Sequence, residues 1–148
     1  KDKLKINSSK LKKIGLSGPL VGKLQQGKNI RFNSKIIKSE DYTSKTKGRK
    51  IAYVADTRPC VGMVNLAKNS DILISESTYL WKDFDKAVEH FHMTAKEVAE
   101  NATKCNVKKI ILTHPSMRYK DVNEMVIEAK EYFDGEVVFA EDFSQFEL

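Results

Sequence analysis

The sequence predicts a layered α/β fold, and two patterns indicate it. Short apolar runs typical of buried strands occur at residues 50–55, 71–75, 109–113 and 136–140. Segments with helical periodicity lie between them, at residues 61–69, after Thr94 and after Asp121. Strands that alternate with helices along a chain favour a sheet with helices packed on it. A chain of 148 residues makes one compact unit or part of a larger one.

The two later helices carry recognisable end signals. Thr94 precedes Glu97 by three residues, the spacing of a capping box at a helix start. Asp121 is the expected cap of the last helix, and Gly135 follows that helix where a terminating glycine is favoured. We therefore expect both helices to begin at these polar residues.

The first 50 residues are more weakly patterned. They predict a short helix at residues 20–24 that stops by Gly27, short strands at residues 29–32 and 36–37, and a polar loop at residues 42–48. A last strand is expected at residues 143–148. The first 50 residues also hold 15 Lys and Arg against 3 Asp and Glu, whereas the remainder is net negative. This basic segment suits a polyanion such as nucleic acid, although a solvated lysine-rich surface explains it equally well.

Composition excludes several classes of protein. Hydrophobic residues make up 41% of the chain and charged residues 31%, values typical of a folded globular domain and not of a disordered chain. The apolar runs are far shorter than a membrane span, and the first residues do not resemble a signal peptide. Cys60 and Cys105 are too few for a disulfide framework, so we expect buried, inert thiols and a cytoplasmic location.

Polar, titratable residues follow three of the predicted strands. Asp56, Glu76 and His114 each come directly after a strand, at the sheet edge where α/β proteins bind ligands. Each side chain can bind a metal ion or carry a proton. His92 lies beside the start of the capped helix, and His90 and His92 would share a face if they lay on a strand. Nothing nearby completes a separate zinc site, and the glycine-rich phosphate loop and the nucleophile elbow are absent from the sequence.

Several short motifs occur in an order that resembles ribonuclease Z, the tRNA 3′-processing endonuclease of the metallo-β-lactamase fold. The motifs are Gly18-Pro19-Leu20, YVADTRPC at residues 53–60, SEST at 75–78, HMTA at 92–95, LTHPSMRY at 112–119 and DFSQF at 142–146. Each motif is weak alone, whereas the ordered set is specific. The resemblance runs from about residue 15 to the end.

The resemblance implies the C-terminal half of a metallo-β-lactamase αββα sandwich. Residues 1–148 would form this half, with a basic, loop-rich segment at residues 1–50 and alternating strands and helices at 51–148. The family's His-x-His-x-Asp-His motif belongs to the N-terminal half and is absent from this sequence. A separate chain or a missing segment would supply it, and a homodimer is expected. A half fold would also expose an apolar sheet face, which marks an interface.

The resemblance also implies roles for individual residues. Asp56 matches the carboxylate that bridges two zinc ions, and His114 matches a zinc ligand. His92 matches the histidine that protonates the leaving 3′ oxygen, and Glu76 the acid that orients it. The resemblance also implies six substrate-binding residues, which are Ser116, Arg118, Tyr119, Lys96, Gly18 and Pro19.

Two departures from the family pattern lie beside the histidine. Phe91 and Met93 stand where the family commonly has Gly and Ser, and Lys96 stands where it often has Arg. A lysine keeps the positive charge but loses the bidentate fork of a guanidinium. We therefore expect the geometry of the loop around His92 to differ from that of the family.

The implied function is a zinc-dependent endoribonuclease that removes 3′ trailers from precursor tRNA, with most zinc ligands outside this sequence. Paired zinc ions can activate water and neutralise a phosphodiester, while a histidine donates a proton to the leaving oxygen. Two alternatives remain open. One is another hydrolase of the same fold, such as an arylsulfatase-like enzyme or a phosphodiesterase. The other is a non-catalytic subunit that binds RNA.

Overall fold

The structure is a computed structural model that describes residues 2–147. It contains two compact units, one ending at Gly48 and the other beginning at Arg49. Within the described residues, no helix combines the length and the apolar character that a bilayer crossing requires.

The first unit is built from short helices and two small antiparallel sheets. Its elements are β1 (Lys3–Ile6), α1 (Ser8–Lys13), α2 (Pro19–Gln25), β2 (Ile30–Phe32), β3 (Lys35–Ile37), α3 (Ser39–Tyr42) and β4 (Thr43–Thr46). Strand β1 pairs with β4, and β2 pairs with β3. The prediction of a loop at residues 42–48 is wrong, because β4 lies within it. This strand is polar and mostly exposed, so it has no apolar alternation to reveal it, and its partner lies about 40 residues away in sequence.

Helix α2 matches the predicted helix closely, but it begins one residue earlier. Pro19 occupies its first turn, where a proline has a suitable φ angle and no N–H to leave unpaired. Gly18 precedes it with a φ of 78°, a left-handed conformation that favours glycine. The small core of this unit consists of Leu11, Leu16, Leu24 and Ile30.

The second unit contains the predicted α/β layers. Its elements are β5 (Ile51–Val54), α4 (Val61–Ala67), β6 (Ile72–Glu76), a 3-10 turn (Trp81–Asp83), α5 (Phe84–Glu89), α6 (Ala95–Lys104), β7 (Lys109–Thr113), α7 (Asn123–Lys130) and β8 (Glu136–Phe139). The four strands form one parallel sheet in the order β5-β6-β7-β8. The predicted α/β class is confirmed, and all carboxyl ends of the strands lie at one edge.

One face of this sheet carries the main core. Its central row runs through Ala52, Leu73, Ile110 and Val137, which are neighbours in the strand register. They pack with side chains of three helices, which are Met63 and Ala67 of α4, Val98, Ala99 and Ala102 of α6, and Met125 and Ala129 of α7. Burial of these apolar side chains is the main force that holds the helices on the sheet.

The opposite face of the sheet is also apolar, and part of it is open. Ile72 and Ile111 are buried there, but Ile51 and Tyr53 on the edge strand β5 are 50% and 64% exposed. The side-chain ammonium of Lys109 on this face lies 5.5 Å from the ring centre of Phe146 in the C-terminal segment. An apolar sheet face with exposed large side chains is unusual for a surface that meets only water.

The helix ends agree only partly with the predictions. The capping box is present, because Thr94 accepts from the backbone N–H of Glu97 and Glu97 accepts from that of Thr94. The prediction that Asp121 caps the last helix is wrong, because Val122 is the N-cap and α7 begins at Asn123. Asp121 still lies beside the helix start, where its Oδ1 accepts from the backbone N–H of Asn123 at 2.9 Å.

The prediction for Gly135 is wrong, since α7 ends at Lys130 and Gly135 does not terminate it. A Cβ at this position would lie 2.6 Å from the carbonyl oxygen of Lys108 and would also meet the ring of Phe133. Close packing therefore explains this glycine. The last predicted strand is absent at residues 143–147, and Leu148 lies outside the described residues.

Candidate active site

Three strand ends and one loop bring the predicted site residues together. The register of the sheet places Glu76, at the end of β6, beside Thr113, which directly precedes His114. Asp56 follows β5, and its carboxylate Oδ1 lies 3.6 Å from Nδ1 of His114. His114 has a φ of 58°, so the chain turns sharply as it leaves β7.

Asp56, His92 and His114 form a compact cluster of metal-ligand groups. One ligand atom from each residue lies within 4.8 Å of the others, and the rings of the two histidines are 5.3 Å apart between centres. Asp56 and His114 are exposed, whereas His92 is partly buried. Imidazole nitrogens and a carboxylate oxygen are ligands typical of zinc, so the donor set fits such an ion.

A buried carboxylate holds His92 in place. Glu76 is 1% exposed, and its Oε1 lies 3.3 Å from Nδ1 of His92. The backbone N–H groups that donate to this carboxylate belong to Thr57, Thr78 and Met93. These bonds compensate the burial of a polar group, which would otherwise be costly. They also fix the carboxylate that orients the imidazole.

Thr78 is a site residue that the sequence did not single out. Its hydroxyl lies 2.8 Å from Glu76 Oε2, 3.2 Å from His92 Nδ1 and 3.0 Å from His114 Nδ1. The SEST motif contained it, but the interpretation centred on Glu76. Only the packing of three separate loops shows that one hydroxyl contacts both histidines.

Arg58 is a second residue that sequence reasoning missed. Its guanidinium donates to the carbonyl oxygen of His92 at 2.6 Å and forms an ion pair with Glu97. Glu97 is also the capping-box acid of α6, so one carboxylate serves both the helix start and the arginine. The loop that carries Asp56 and the backbone of His92 are thereby joined.

The loop before His92 contains an unusual residue. Phe91 has a φ of 61°, a conformation that bulky side chains rarely adopt, and it is 75% exposed. Neither His90 nor His92 lies on a strand, so the face-sharing pair considered from their spacing does not exist. His90 instead stacks near Tyr79, with ring centres 6.3 Å apart.

Tyr119 and Arg118 belong to a network around Asp83. The Tyr119 hydroxyl donates to Asp83 at 2.7 Å and accepts from the backbone N–H of Leu80. Burial, together with this bond to Asp83, raises the pKa of Tyr119 to about 12. A hydrogen bond from Lys86 and one from Tyr119 lower the pKa of Asp83. The Tyr119 hydroxyl is therefore engaged inside the protein.

Arg118 remains at the surface beside the site. Its guanidinium donates to Ser116 Oγ and to Asp83, each at 3.2 Å, and lies 5.2 Å from the ring centre of Tyr79. The predicted contacts of Arg118 and Ser116 with RNA stay predictions.

Lys96 is held by aromatic rings. Its ammonium lies 4.1 Å from the ring centre of Trp81 and 4.7 Å from that of Tyr132. Glu128 accepts from the backbone N–H groups of both Trp81 and Lys96, and burial raises the pKa of this carboxyl. The structure thus gives Lys96 a packing role, while its contact with RNA stays a prediction. Gly18 and Pro19 belong to the first unit, and their role with substrate likewise remains a prediction.

The two cysteines differ from each other. Cys105 is buried, and desolvation raises the pKa of its thiol. Cys60 is exposed, so the prediction of a buried thiol is wrong for it. Its Sγ accepts from the backbone N–H of Met63 at the start of α4, and this bond lowers the pKa of the thiol. The polar start of a helix explains why this cysteine stays outside the core.

Comparison with known proteins shows which proteins the chain is related to. No protein-family model matches the chain. Ribonuclease Z of Chlamydia muridarum is 44% identical over 147 residues, which are 99% of this chain and 48% of that protein. Ribonuclease Z of Archaeoglobus fulgidus is 41% identical over 97% of this chain. The chain is a relative of ribonuclease Z. It spans about half the length of the curated relatives it matches.

Solved structures give the same fold. The metallo-β-lactamase fold protein YhfI of Bacillus subtilis has a TM-score of 0.58 and 26% identity, covering 67% of this chain and 40% of that one. The short form of human tRNase Z has a TM-score of 0.52 and 30% identity, covering 79% of this chain and 40% of that one. The predicted resemblance and the metallo-β-lactamase fold are therefore confirmed.

Proposed function

We propose that this chain forms part of a zinc-dependent endoribonuclease that removes 3′ trailers from precursor tRNA. The observation that carries the proposal is the cluster of Asp56, His92 and His114, in a chain that resembles ribonuclease Z along almost its whole length. Ligand groups that are far apart in sequence but lie within 4.8 Å of one another are typical of a functional site.

Asp56 and His114 are the proposed metal ligands. Asp56 offers a carboxylate that can bridge two cations, and His114 offers one imidazole nitrogen. When bound, zinc would supply activated water at neutral pH and would neutralise phosphate charge. The chain's own contribution is to hold these two groups at one end of the sheet.

His92 is the proposed proton donor. Its Nδ1 faces Glu76 and Thr78, so Nε2 is the ring nitrogen left for the reaction. A histidine whose Nδ1 is oriented by a carboxylate can deliver a proton from Nε2 to a leaving 3′ oxygen. The products would be a tRNA with a free 3′ hydroxyl and a trailer with a 5′ phosphate.

The cluster does not make a two-zinc site by itself, so we propose that further ligands come from the N-terminal half of the fold. The chain's coverage of about half of its relatives supports this part of the proposal. The open, apolar sheet face at Ile51 and Tyr53 supports it as well, because that half would cover such a face. A homodimer and a cytoplasmic location complete the proposal as expectations.

The experiment is to combine the chain with the N-terminal half of a ribonuclease Z and to assay cleavage of precursor tRNA and zinc content. Asp56→Ala and His114→Ala should lose both cleavage and zinc. His92→Ala should lose cleavage but keep zinc. His90→Ala is the matched control, since this neighbouring histidine is outside the cluster, and it should keep both.

Two outcomes would contradict the assignment. Cleavage that survives Asp56→Ala and His114→Ala would exclude them as metal ligands. Loss of zinc in His92→Ala would make His92 a ligand, which its distance from the other two also permits.

A second candidate is a different hydrolase of the same fold. The observation that favours it is the match to YhfI, which is described only as a metallo-β-lactamase fold protein and has a TM-score of 0.58, against 0.52 for human tRNase Z. Small phosphodiesters and aryl sulfates, tested beside precursor tRNA, separate the two candidates. A purely RNA-binding subunit would instead retain tRNA affinity, steeply dependent on salt, without zinc or cleavage.

A further inference from the structure

The hydroxyl of Thr78 lies between the proposed proton donor and a proposed metal ligand. Its oxygen is within hydrogen-bond distance of a carboxylate and of two imidazole nitrogens, namely Glu76 Oε2, His92 Nδ1 and His114 Nδ1. A hydroxyl has one hydrogen to donate and two lone pairs that accept. The three polar neighbours therefore match the three hydrogen bonds that this hydroxyl can form.

The position of the hydroxyl hydrogen follows from the neighbour that can only accept. Glu76 already accepts from three backbone N–H groups. Of the three contacts that the Thr78 hydroxyl makes, the one with Glu76 Oε2 is the shortest, at 2.8 Å. If the hydrogen pointed elsewhere, two buried oxygens would meet with no hydrogen between them. Thr78 therefore donates to Glu76, which leaves its lone pairs for the histidines.

We propose that Thr78 is a positioning residue that sets both His92 and His114 in the tautomer protonated on Nδ1. Each ring then donates to the Thr78 oxygen and keeps Nε2 as the nitrogen available to a cation or to a proton in transfer. This inference rests on the proposed function for the roles of the two rings, but the tautomers themselves follow from the hydrogen bonds.

The two histidines should depend on Thr78 to different degrees. His92 Nδ1 has a second acceptor, Glu76 Oε1 at 3.3 Å. Among residues 2–147, Thr78 is the one hydrogen-bond partner of His114 Nδ1. Asp56 Oδ1 lies beyond hydrogen-bond distance, at 3.6 Å from this nitrogen. Removing the hydroxyl should therefore free the tautomer of His114 and leave that of His92 largely fixed.

The test uses Thr78→Val, which keeps the shape and removes the hydroxyl, and Thr78→Ser, which keeps the hydroxyl. Thr113→Val is the matched control, because the hydroxyl of this threonine donates to the carbonyl oxygen of Ser75 and, among residues 2–147, has no hydrogen bond to either imidazole. Imidazole ¹⁵N shifts are recorded on the full-length, metal-free protein at a pH where the rings are neutral. Zinc affinity and cleavage of precursor tRNA follow on the same samples.

The wild-type protein and the two control variants should show Nδ1–H at both histidines. Thr78→Val should shift His114 towards Nε2–H and weaken zinc binding about 10- to 100-fold, the usual effect of losing a partner that orients a ligand. Thr78→Ser should restore both readouts.

A wild-type His114 protonated on Nε2 would overturn the inference, whatever the variants do. So would a folded Thr78→Val protein with unchanged shifts and zinc affinity. Neither readout requires RNA, so a wild-type protein that does not cleave tRNA would contradict the proposed function alone.

Discussion

The two units of the chain differ greatly in the size of their apolar cores. The unit from Arg49 onward packs three helices on one face of a four-stranded parallel sheet. The unit up to Gly48 joins short helices to two-stranded sheets around Leu11, Leu16, Leu24 and Ile30. The comparison teaches that the candidate catalytic groups lie on the more heavily packed unit, whose strand ends can hold them with little movement.

The largest effect should come from matched core leucines in the two units. Leu73 in β6 and Leu24 in α2 are both fully buried. We expect Leu73→Ala to cost about 3–5 kcal/mol and Leu24→Ala about 2 kcal/mol, because the smaller core relaxes more easily around the cavity. Urea unfolding measures both, with the exposed Ile127→Ala as control. Equal costs would remove the proposed difference between the units.

The next effect concerns the hydrogen bond from Arg58, in the loop that carries Asp56, to the backbone of His92. Arg58→Ala leaves Glu97 and the carbonyl oxygen of His92 without their charged donor, which should cost about 1.5–3 kcal/mol. Cleavage should fall further than in Lys82→Ala, which removes an exposed pair with Glu124 and a contact 5.7 Å from the ring centre of Tyr119. A stable Arg58→Ala protein with full activity would show that the sheet alone positions His92.

Strain at Phe91 predicts a change of opposite sign. Phe91→Gly should stabilise the protein by about 1 kcal/mol, since glycine adopts a positive φ without the steric cost that other residues have. Phe91→Ala keeps a Cβ and should gain little. Thermal unfolding of the two variants compares them directly. A gain that is equal for both variants would assign the effect to the exposed ring and not to the backbone.

Helix caps should behave alike in both units, because capping is local. Thr94 caps α6 and Asn7 caps α1, each by accepting a backbone N–H bond. We expect Thr94→Ala and Asn7→Ala each to cost about 1 kcal/mol in unfolding free energy. A much larger cost at Thr94 would mean that the capping box also supports the Arg58–Glu97 pair.

The smallest effect is a pH dependence at Asp83. Its pKa is lowered by hydrogen bonds from Lys86 and Tyr119, so its ionised form stabilises the folded state. The stability advantage over Asp83→Asn should be complete above the ordinary aspartate pKa of about 4 and should disappear as the pH falls through the lowered value. Urea unfolding across that range measures it, with the exposed Asp85→Asn as control. An advantage that grows on acidification would contradict the assigned ion pairs.

The predictability of the fold follows the same division. Strands β5 to β8 were predictable because their apolar runs are buried, and the Thr94–Glu97 spacing revealed the start of α6. Strand β4 was not, because Thr43–Thr46 contains no large apolar residue. Strand β1 was not either, because Lys3–Ile6 has only Leu4 and Ile6 as apolar residues and pairs with β4 across about 40 residues. Local pattern carries no information about such a distant pairing.

The site was predictable to the extent that chemistry-bearing residues followed strands. Asp56, Glu76 and His114 could be placed at one sheet edge from the alternation of strands and helices. Thr78 and Arg58 could not, because a hydroxyl that contacts two histidines and a guanidinium that contacts a distant carbonyl are properties of folded loops. Lys96 shows the converse, since a residue expected to bind the tRNA substrate has its ammonium packed near the rings of Trp81 and Tyr132.

The left-handed turn at His114 restricts which side chains this strand end can carry. Asparagine, aspartate and glycine tolerate such a backbone well, whereas valine or isoleucine would clash with it. Any redesign of the proposed metal site at this corner is consequently limited by the backbone before coordination chemistry is considered. Asparagine or aspartate would keep both the bend and an oxygen donor, which makes them the natural first substitutes for the imidazole.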